Sequence, residues 1–251
     1  MGRYSGILLC SDFDGTLSHS GAVSKENMDA IRTFMREGGL FSVASGRYYD
    51  FLLPFFHEIE LTAPIVALNG AVFYDTKTKT VLREKFMTGL TPEYVRQIFD
   101  TVDGVNEIVF YTKDGFVHVA PDDIESIARI DLEKIYKLSV RVEADKEISD
   151  RATKALRLIT PKGYDVARSW YWGIEVEGIE CTKGPATREL ARMLGAHTLV
   201  CVGDFENDIS MVKGADIGYA VGGSIEGLLA VADRVTVPVE EHAISKIISE
   251  L

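Results

Sequence analysis

The sequence has few cysteines and no long apolar run. Its three cysteines, Cys10, Cys181 and Cys201, form no CxxC pair, which argues against a disulfide framework and against a structural zinc site. No apolar run approaches the roughly 18 residues that cross a bilayer, and the N-terminal residues match neither a signal-peptide core nor a myristoylation pattern. These absences predict a cytoplasmic protein with no membrane partner.

Positive charge is also scarce. The 251 residues include 27 Lys and Arg against 38 Asp and Glu, which gives a formal net charge of −11. Binding a polyanion requires a basic stripe, and this negative field opposes one, so we expect no nucleic-acid partner. A small anionic substrate is still compatible with this charge if a few cations or a metal act locally. The sequence contains neither GxxxxGK[ST] nor GxGxxG, the patterns of two common phosphate-binding loops.

The order of apolar and amphipathic segments predicts two domains. Near-continuous apolar strands alternate with helices at both ends of the chain, which is typical of a parallel sheet covered on both faces. The middle third has helices followed by paired strands, as in an α+β module. We therefore predict an α/β fold in which a doubly wound, Rossmann-like core, residues 1–84 and 178–251, is interrupted by an inserted α+β domain, residues 85–177. Trp170 and Trp172 are expected two apart on one strand of the insertion, either packed on its helices or lining a pocket.

Two pairs of acids follow apolar strands. Asp12 and Asp14 come directly after the first strand, and Asp204 and Asp208 follow the strand at 198–203. Ligands of doubly wound sheets collect beyond the carboxyl ends of the strands, so both pairs should meet at one edge. Because Mg²⁺ takes oxygen ligands, these carboxylates are candidate Mg²⁺ ligands. The structural alternatives are an aspartate-rich glycine turn for the first pair and acidic helix N-termini for the second.

Two further turns could hold an anion. Ser45, Gly46 and Arg47 end the second strand and begin a helical segment, whose N–H groups attract phosphate. Lys183 stands at the start of another helix, where its charge opposes the helix dipole and indicates an anionic partner. For Arg47 two interpretations are equally supported, namely contact with a substrate beyond its phosphate and pairing with an acid near the start of the helix.

Together, these motifs resemble those of the haloacid dehalogenase (HAD) superfamily. The stretches DFDGTL (12–17), SGR (45–47), KG (183–184) and GDFEND (203–208) stand in the order of motifs I to IV of that superfamily. The insertion between the second and third motifs is what the type IIB, Cof-like phosphatases carry as a cap. The resemblance covers essentially the whole chain and implies a phosphatase with a Rossmann-like core and an α+β cap.

The resemblance also implies a reaction and a set of site residues. The expected enzyme hydrolyses phosphomonoesters of small metabolites, such as a sugar phosphate or phosphoglycolate. Asp12 would attack phosphorus and form an aspartyl phosphate, and Asp14 would protonate the leaving oxygen and then activate water. Mg²⁺ would be bound by Asp12, the backbone carbonyl of Asp14, and Asp204, with Asp208 in an outer position. The implied phosphate-binding residues are Ser45, Gly46, Lys183 and Asn207.

Two other functions stay open at this point. A phosphomutase on the same fold shares the DxDGT chemistry but returns the phosphate to its substrate. A non-catalytic binding or regulatory module is the alternative from another class. The intact acids argue against the module, because a binding domain has no evident need for Asp14 in addition to Asp12.

Overall fold

The computed structural model describes residues 2–57 and 59–251, and the chain divides into two compact units. Unit 1 consists of Met1–Glu84 together with Glu180–Leu251, and unit 2 is Lys85–Ile179. Unit 1 thus contains both ends of the chain, and unit 2 is inserted between its two parts.

Both units are built from short strands and helices. In chain order the strands are β1 (Ile7–Ser11), β2 (Ser18–His19), β3 (Ala22–Val23), β4 (Leu40–Val43), β5 (Ile65–Ala67), β6 (Val72–Asp75), β7 (Thr80–Glu84), β8 (Val105–Thr112), β9 (Gly115–Val119), β10 (Ile135–Val142), β11 (Tyr164–Trp170), β12 (Gly173–Gly178), β13 (Thr198–Gly203), β14 (Ile217–Ala220) and β15 (Arg234–Val235). The α-helices are α1 (Lys25–Arg36), α2 (Tyr49–Leu52), α3 (Pro92–Thr101), α4 (Lys146–Ile159), α5 (Lys183–Leu194), α6 (Ile209–Gly214), α7 (Glu226–Leu229) and α8 (Ala243–Glu250). In the described part of the chain, no helix is long and apolar enough to cross a membrane.

The main sheet of unit 1 is parallel, with β1 inside it. Its strand order is β15-β14-β13-β1-β4, and every pairing is parallel. One neighbour of β1 is β4, the next strand of this sheet along the chain, and the other is β13, which comes after the insertion. The strand order therefore reverses direction at β1, and ligands of open α/β sheets bind at such a switch point. This sheet confirms the predicted doubly wound α/β core.

The packing of β1 explains its continuous apolar sequence. Leu8 and Cys10 belong to one buried cluster with Ala186 and Leu190 of α5. Leu9, which points to the opposite face because side chains alternate along a strand, is equally buried. A strand buried on both faces has no position for an unpaired charged residue until it ends. The first acids of the chain therefore follow β1 directly.

Unit 2 is an α+β module with an antiparallel sheet, as predicted. Its strand order is β11-β12-β10-β8-β9, and all pairings are antiparallel. One face of the sheet packs on α3 and α4, for example through Ile98 and Leu156. Between the apolar positions of β10 and β12 stand Lys137 and Glu175, which are buried and joined in an ion pair.

The connection from β11 to β12 corrects the expected placement of the two tryptophans. β11 ends at Trp170, whereas Trp172 lies in the turn before β12, so the two residues do not occupy one strand. The turn is fixed by two hydrogen bonds, because the N–H of Val142 donates to the Trp172 carbonyl at 3.1 Å and the Ser149 hydroxyl donates to the Tyr171 carbonyl. The alternating sequence predicts that the strand continues through Trp172, but these two bonds to other elements hold residues 171 and 172 in a turn.

Candidate active site

Three acids meet at the carboxyl edge of the parallel sheet, where β1 and β13 end side by side. Asp12 follows β1, and its N–H donates to the carbonyl of Val202 in β13 at 2.9 Å. Asp204 follows β13, and Asp208 lies one turn further along. Ligand oxygens of Asp12, Asp204 and Asp208 all lie within 4.8 Å of one another. The structure therefore brings together carboxylates from both of the acidic pairs.

Lys183 lies between two of these acids. Its Nζ donates to Oδ1 of Asp12 at 2.5 Å and to Oδ1 of Asp208 at 2.6 Å, and its side chain is fully buried. The next residue, Gly184, approaches α6 so closely that an added Cβ would lie 2.5 Å from the carbonyl oxygen of Ser210. This close contact between α5 and α6 brings the ammonium group to the edge of the sheet.

Asp208 is bound mainly by the turn that contains it. Its Oδ2 accepts the N–H groups of Asp204 and Phe205, each at 3.1 Å, while its Oδ1 accepts from Lys183. Gly203 makes room for this side chain, since an added Cβ there would lie 2.4 Å from Cβ of Asp208. Both carboxylate oxygens of Asp208 are thus engaged in holding the end of β13 and the lysine.

Gly15 and Thr16 position the third acid, Asp204. The Thr16 hydroxyl donates to Oδ1 of Asp204 at 2.7 Å. Gly15 has a φ of +82°, and an added Cβ would lie 2.6 Å from Oδ2 of Asp204. Nothing in the sequence predicts this role of Thr16, although the residue stands inside the DFDGTL motif.

Asn207 and Asn69 connect two further strand ends. Nδ2 of Asn207 donates to Oδ1 of Asn69 at 3.3 Å, and the N–H of Asn69 donates to the Ser45 carbonyl at 2.9 Å. Asn69 is buried and has a φ of +57°, a conformation that Asn tolerates better than most residues. Asn69 was not among the predicted site residues either, because the sequence Asn-Gly predicts only a turn.

The predicted Ser-Gly-Arg turn follows β4 at the same edge of the sheet. Ser45 is buried, and its hydroxyl oxygen accepts the N–H of Arg47 at 3.2 Å, with Gly46 between them. The Arg47 guanidinium donates to both oxygens of Asp14, from Nε at 2.6 Å and from Nη2 at 2.8 Å, and it lies 3.9 Å from the ring centroid of Phe51. Arg47 therefore pairs with an acid, which is one of the two roles considered for it from the sequence. The other role, contact with the substrate, stays a prediction. The Asp14 carboxylate is not part of the buried group.

Burial and mutual repulsion shift the pKa values of the buried group. Burial raises the pKa of Asp12 well above its ordinary value, the charge of Asp208 adds to this, and Lys183 opposes it. Burial and Asp208 likewise raise the pKa of Asp204 to about 6, against the hydrogen bond from Thr16. Burial disfavours the charge of Lys183, but the two carboxylates outweigh it and raise the lysine pKa.

The charges of this group suit a divalent cation. Three ionised carboxylates and one ammonium leave two negative charges in a buried place, and uncompensated buried charge is strongly unfavourable. Carboxylate oxygens are the donors that hard divalent ions take. The cluster of Asp12, Asp204 and Asp208 can therefore hold a divalent metal.

Comparison with known proteins gives consistent similarities. A family model described as haloacid dehalogenase-like hydrolase matches residues 9–248. The chain is 33% identical over 235 residues to a phosphoglycolate phosphatase of Methanosarcina acetivorans, covering 90% of this chain and 87% of that protein. It is 25% identical to the phosphatase YwpJ of Bacillus subtilis, covering 97% and 99%. The solved structure of BT4131, a HAD subclass IIB sugar phosphatase, is similar with a TM-score of 0.76 at 20% identity, covering 97% and 98%.

Proposed function

This chain belongs to the haloacid dehalogenase-like hydrolase family, and on that premise we propose that it is a Mg²⁺-dependent phosphatase acting on phosphomonoesters of small metabolites. Membership confirms the predicted hydrolase and the predicted Cof-like branch of the HAD superfamily. The observation that carries the proposal is the buried group itself, in which the Asp12 carboxylate is held by Lys183 beside two further acids.

Asp12 is the proposed nucleophile. A carboxylate oxygen of Asp12 attacks phosphorus, the bond from phosphorus to the leaving oxygen breaks, and an aspartyl phosphate forms. Water then attacks the same phosphorus, the bond to Asp12 breaks, and inorganic phosphate leaves. The bond from Lys183 at 2.5 Å orients the attacking carboxylate, which is how positioning lowers the barrier to phosphoryl transfer.

Asp14 is the proposed proton carrier. It would give a proton to the leaving oxygen in the first step and take one from the attacking water in the second. Its exposed carboxylate allows exchange of that proton with solvent. Both of its oxygens accept from Arg47 in the structure, so one of these two bonds must break when Asp14 carries the proton. We propose that Arg47 also contacts the substrate beyond its phosphate.

The proposed Mg²⁺ ligands are Asp12, Asp204 and the backbone carbonyl of Asp14, with Asp208 outside them. When bound, the ion would neutralise the acids and the substrate phosphate. An ammonium group has three N–H donors, and the bonds to Asp12 and Asp208 use two of those on Lys183. The proposed phosphate-binding residues are Ser45, Gly46, Lys183 and Asn207.

The leaving group is proposed to be small and polar, as in a sugar phosphate or phosphoglycolate. The relative at 33% identity supports this class, since it is a phosphoglycolate phosphatase. We further propose that residues 85–177 act as the cap that selects among such esters. Phosphoglycolate is accordingly the first ester to assay.

A phosphate-release assay tests the proposal. The panel is phosphoglycolate, hexose 6-phosphates and p-nitrophenyl phosphate, each with Mg²⁺ and with EDTA. We expect release from at least one ester, its loss in EDTA, and its loss in Asp12→Asn. Asp29→Asn is the matched control, because it makes the same chemical change on the exposed side of α1, where Asp29 pairs with Lys25 and Arg32.

Three results would count against the mechanism. These are no release from any ester, release that persists in EDTA, and equal rates for Asp12→Asn and Asp29→Asn. An isomerised sugar phosphate with no free phosphate would indicate the phosphomutase instead.

A further inference from the structure

Both tryptophans of the sequence line one open cavity in unit 2. The cavity has a volume of about 480 Å³, and its lining includes Trp170, Trp172, Asn106, Glu107 and Arg141. All of these residues belong to unit 2, and none is among the proposed nucleophile, proton carrier, metal ligands or phosphate-binding residues. The cavity therefore combines two large aromatic surfaces with a cation, an anion and an amide.

The first aromatic surface lies over a glycine. Trp170 is paired across the two strands with Gly173, and a Cβ added to Gly173 would lie 2.1 Å from Cζ2 of Trp170. The indole thus packs directly on the backbone of β12. Gly173 is also paired with Arg141 in β10, so Trp170 and Arg141 flank this glycine on its two neighbouring strands, and both line the cavity. Trp170 nevertheless keeps 38% of its surface exposed.

The second tryptophan stands on a turn whose backbone is held by two hydrogen bonds. The Trp172 carbonyl accepts the N–H of Val142 at 3.1 Å, and the preceding carbonyl, that of Tyr171, accepts the hydroxyl of Ser149 in α4. Two successive peptide groups are therefore tied to neighbouring elements. The backbone that carries Trp172 therefore loses little freedom when a ligand binds, which favours affinity.

The polar side of the cavity is a preformed hydrogen-bonded set. Nη1 of Arg141 donates to Oε1 of Glu107 at 2.7 Å, and Nδ1 of His118 lies 2.8 Å from Oε2 of the same carboxylate. Burial would raise the pKa of Glu107, but the His118 hydrogen bond and the Arg141 charge outweigh it and hold that pKa below its ordinary value. Glu107 is thus an ionised acceptor that balances the charge of Arg141.

From this arrangement we propose that the cavity binds a neutral pyranose ring. The C–H face of a pyranose can stack on the electron-rich face of an indole, and neighbouring hydroxyls can donate to Glu107 while accepting from Arg141 and Asn106. An anionic ligand would gain little electrostatic attraction, because the charge of Glu107 balances that of the Arg141 guanidinium. An apolar ring would desolvate the ion pair and return no hydrogen bond. The proposal does not rest on the phosphatase function, since the two sites share no residue.

Tryptophan fluorescence tests this proposal directly, because no tryptophan lies elsewhere in the sequence. The full-length protein is titrated with glucose, galactose and mannose, with acyclic glucitol and with adenosine. We expect a saturable change with at least one pyranose and none with glucitol. Trp170→Leu, observed through Trp172, should weaken binding roughly threefold to tenfold, the range of one aromatic stacking contact, and Arg141→Met should weaken it too.

The matched control is Phe116→Leu, an exposed aromatic of unit 2 outside the cavity lining, which should leave binding unchanged. Repeating the titration with glucose 6-phosphate on Asp12→Asn distinguishes a free sugar from the sugar part of a phosphorylated substrate. The proposal is overturned by the absence of a saturable change with every pyranose, by wild-type affinity in both the Trp170→Leu and the Arg141→Met protein, or by preferential binding of adenosine. Circular dichroism checks that each variant is folded.

Discussion

Two fully buried lysines, substituted one at a time, should distinguish an effect on catalysis from an effect on stability. Lys183 pairs with Asp12 and Asp208 in unit 1, and Lys137 pairs with Glu175 in unit 2. Breaking a buried ion pair by removing one partner destabilises a protein by about 3–5 kcal/mol, because the remaining charge has no compensation. We predict a loss of unfolding free energy of that order for both Lys183→Met and Lys137→Met. Only Lys183→Met should also lower kcat, by about 10²–10³-fold, the range for removing one electrostatic stabiliser.

The stability loss at Lys183 should depend on pH. The raised pKa of Lys183 means that its stabilising contribution is complete at every pH below its unfolded value of about 10.4 and is lost only as pH rises through the folded value. Without the lysine, the acids can relieve their repulsion by binding protons, and the pKa of Asp12 is already raised by burial. The destabilisation by Lys183→Met should therefore be smaller near about pH 5 than near about pH 8.

Two measurements on the same three proteins check this prediction. Urea denaturation followed by circular dichroism gives the unfolding free energies, and phosphate release with Mg²⁺ gives kcat. A Lys183→Met protein with wild-type kcat would refute the proposed role of the lysine. An equal fall of kcat in Lys137→Met would show that activity is lost through folding instead.

Three further predictions concern Asp204. Gly15→Ala should weaken Mg²⁺ binding in calorimetry, since its Cβ would lie 2.6 Å from the Asp204 carboxylate. Gly21→Ala, which has a similar φ of +78° but no described atom within 4 Å of the added Cβ, should not, and equal effects would contradict the steric argument. In metal-free protein the folded state holds the Asp204 proton up to about pH 6, so unfolding free energy should fall by up to about 3 kcal/mol as pH rises from about 4 to about 6. A flat denaturation profile over that range would contradict the raised pKa. Thr16→Val removes the hydrogen bond that lowers the pKa of Asp204, so the pH midpoint of Mg²⁺ binding should move upward, whereas Thr16→Ser should keep it.

The sequence predicted best those features of the fold and the site that depend on residues adjacent in the chain. Asp12 and Asp204 were found because an apolar strand followed directly by an acid is a local pattern. Their meeting follows from a rule of parallel sheets, in which all carboxyl ends lie along one edge. Because the observed order places β1 next to β13, the rule brings those two acids together.

The sequence could not give contacts between distant side chains. The bond from Thr16 to Asp204 joins positions 188 residues apart, and the bond from Asn207 to Asn69 joins positions 138 apart. Hydroxyl and amide groups have no periodic signal, so only the folded backbone selects their partners. The turn at Trp172 was not predicted for a similar reason, since the hydrogen bond that holds it comes from Val142 in another strand.

The hydrogen bonds of Asp204 and Asp208 indicate different roles for these two acids. Asp208 has one oxygen bound to Lys183 and the other bound to the N–H groups of Asp204 and Phe205. A cation at Asp208 would therefore share an oxygen atom that already accepts an N–H bond. The Asp204 carboxylate accepts from the Thr16 hydroxyl, and among the described residues no backbone N–H donates to it, so its second oxygen is more open to a cation. This difference favours Asp204 as the metal ligand of the pair and Asp208 as the residue that ties β13 through Lys183 to Asp12.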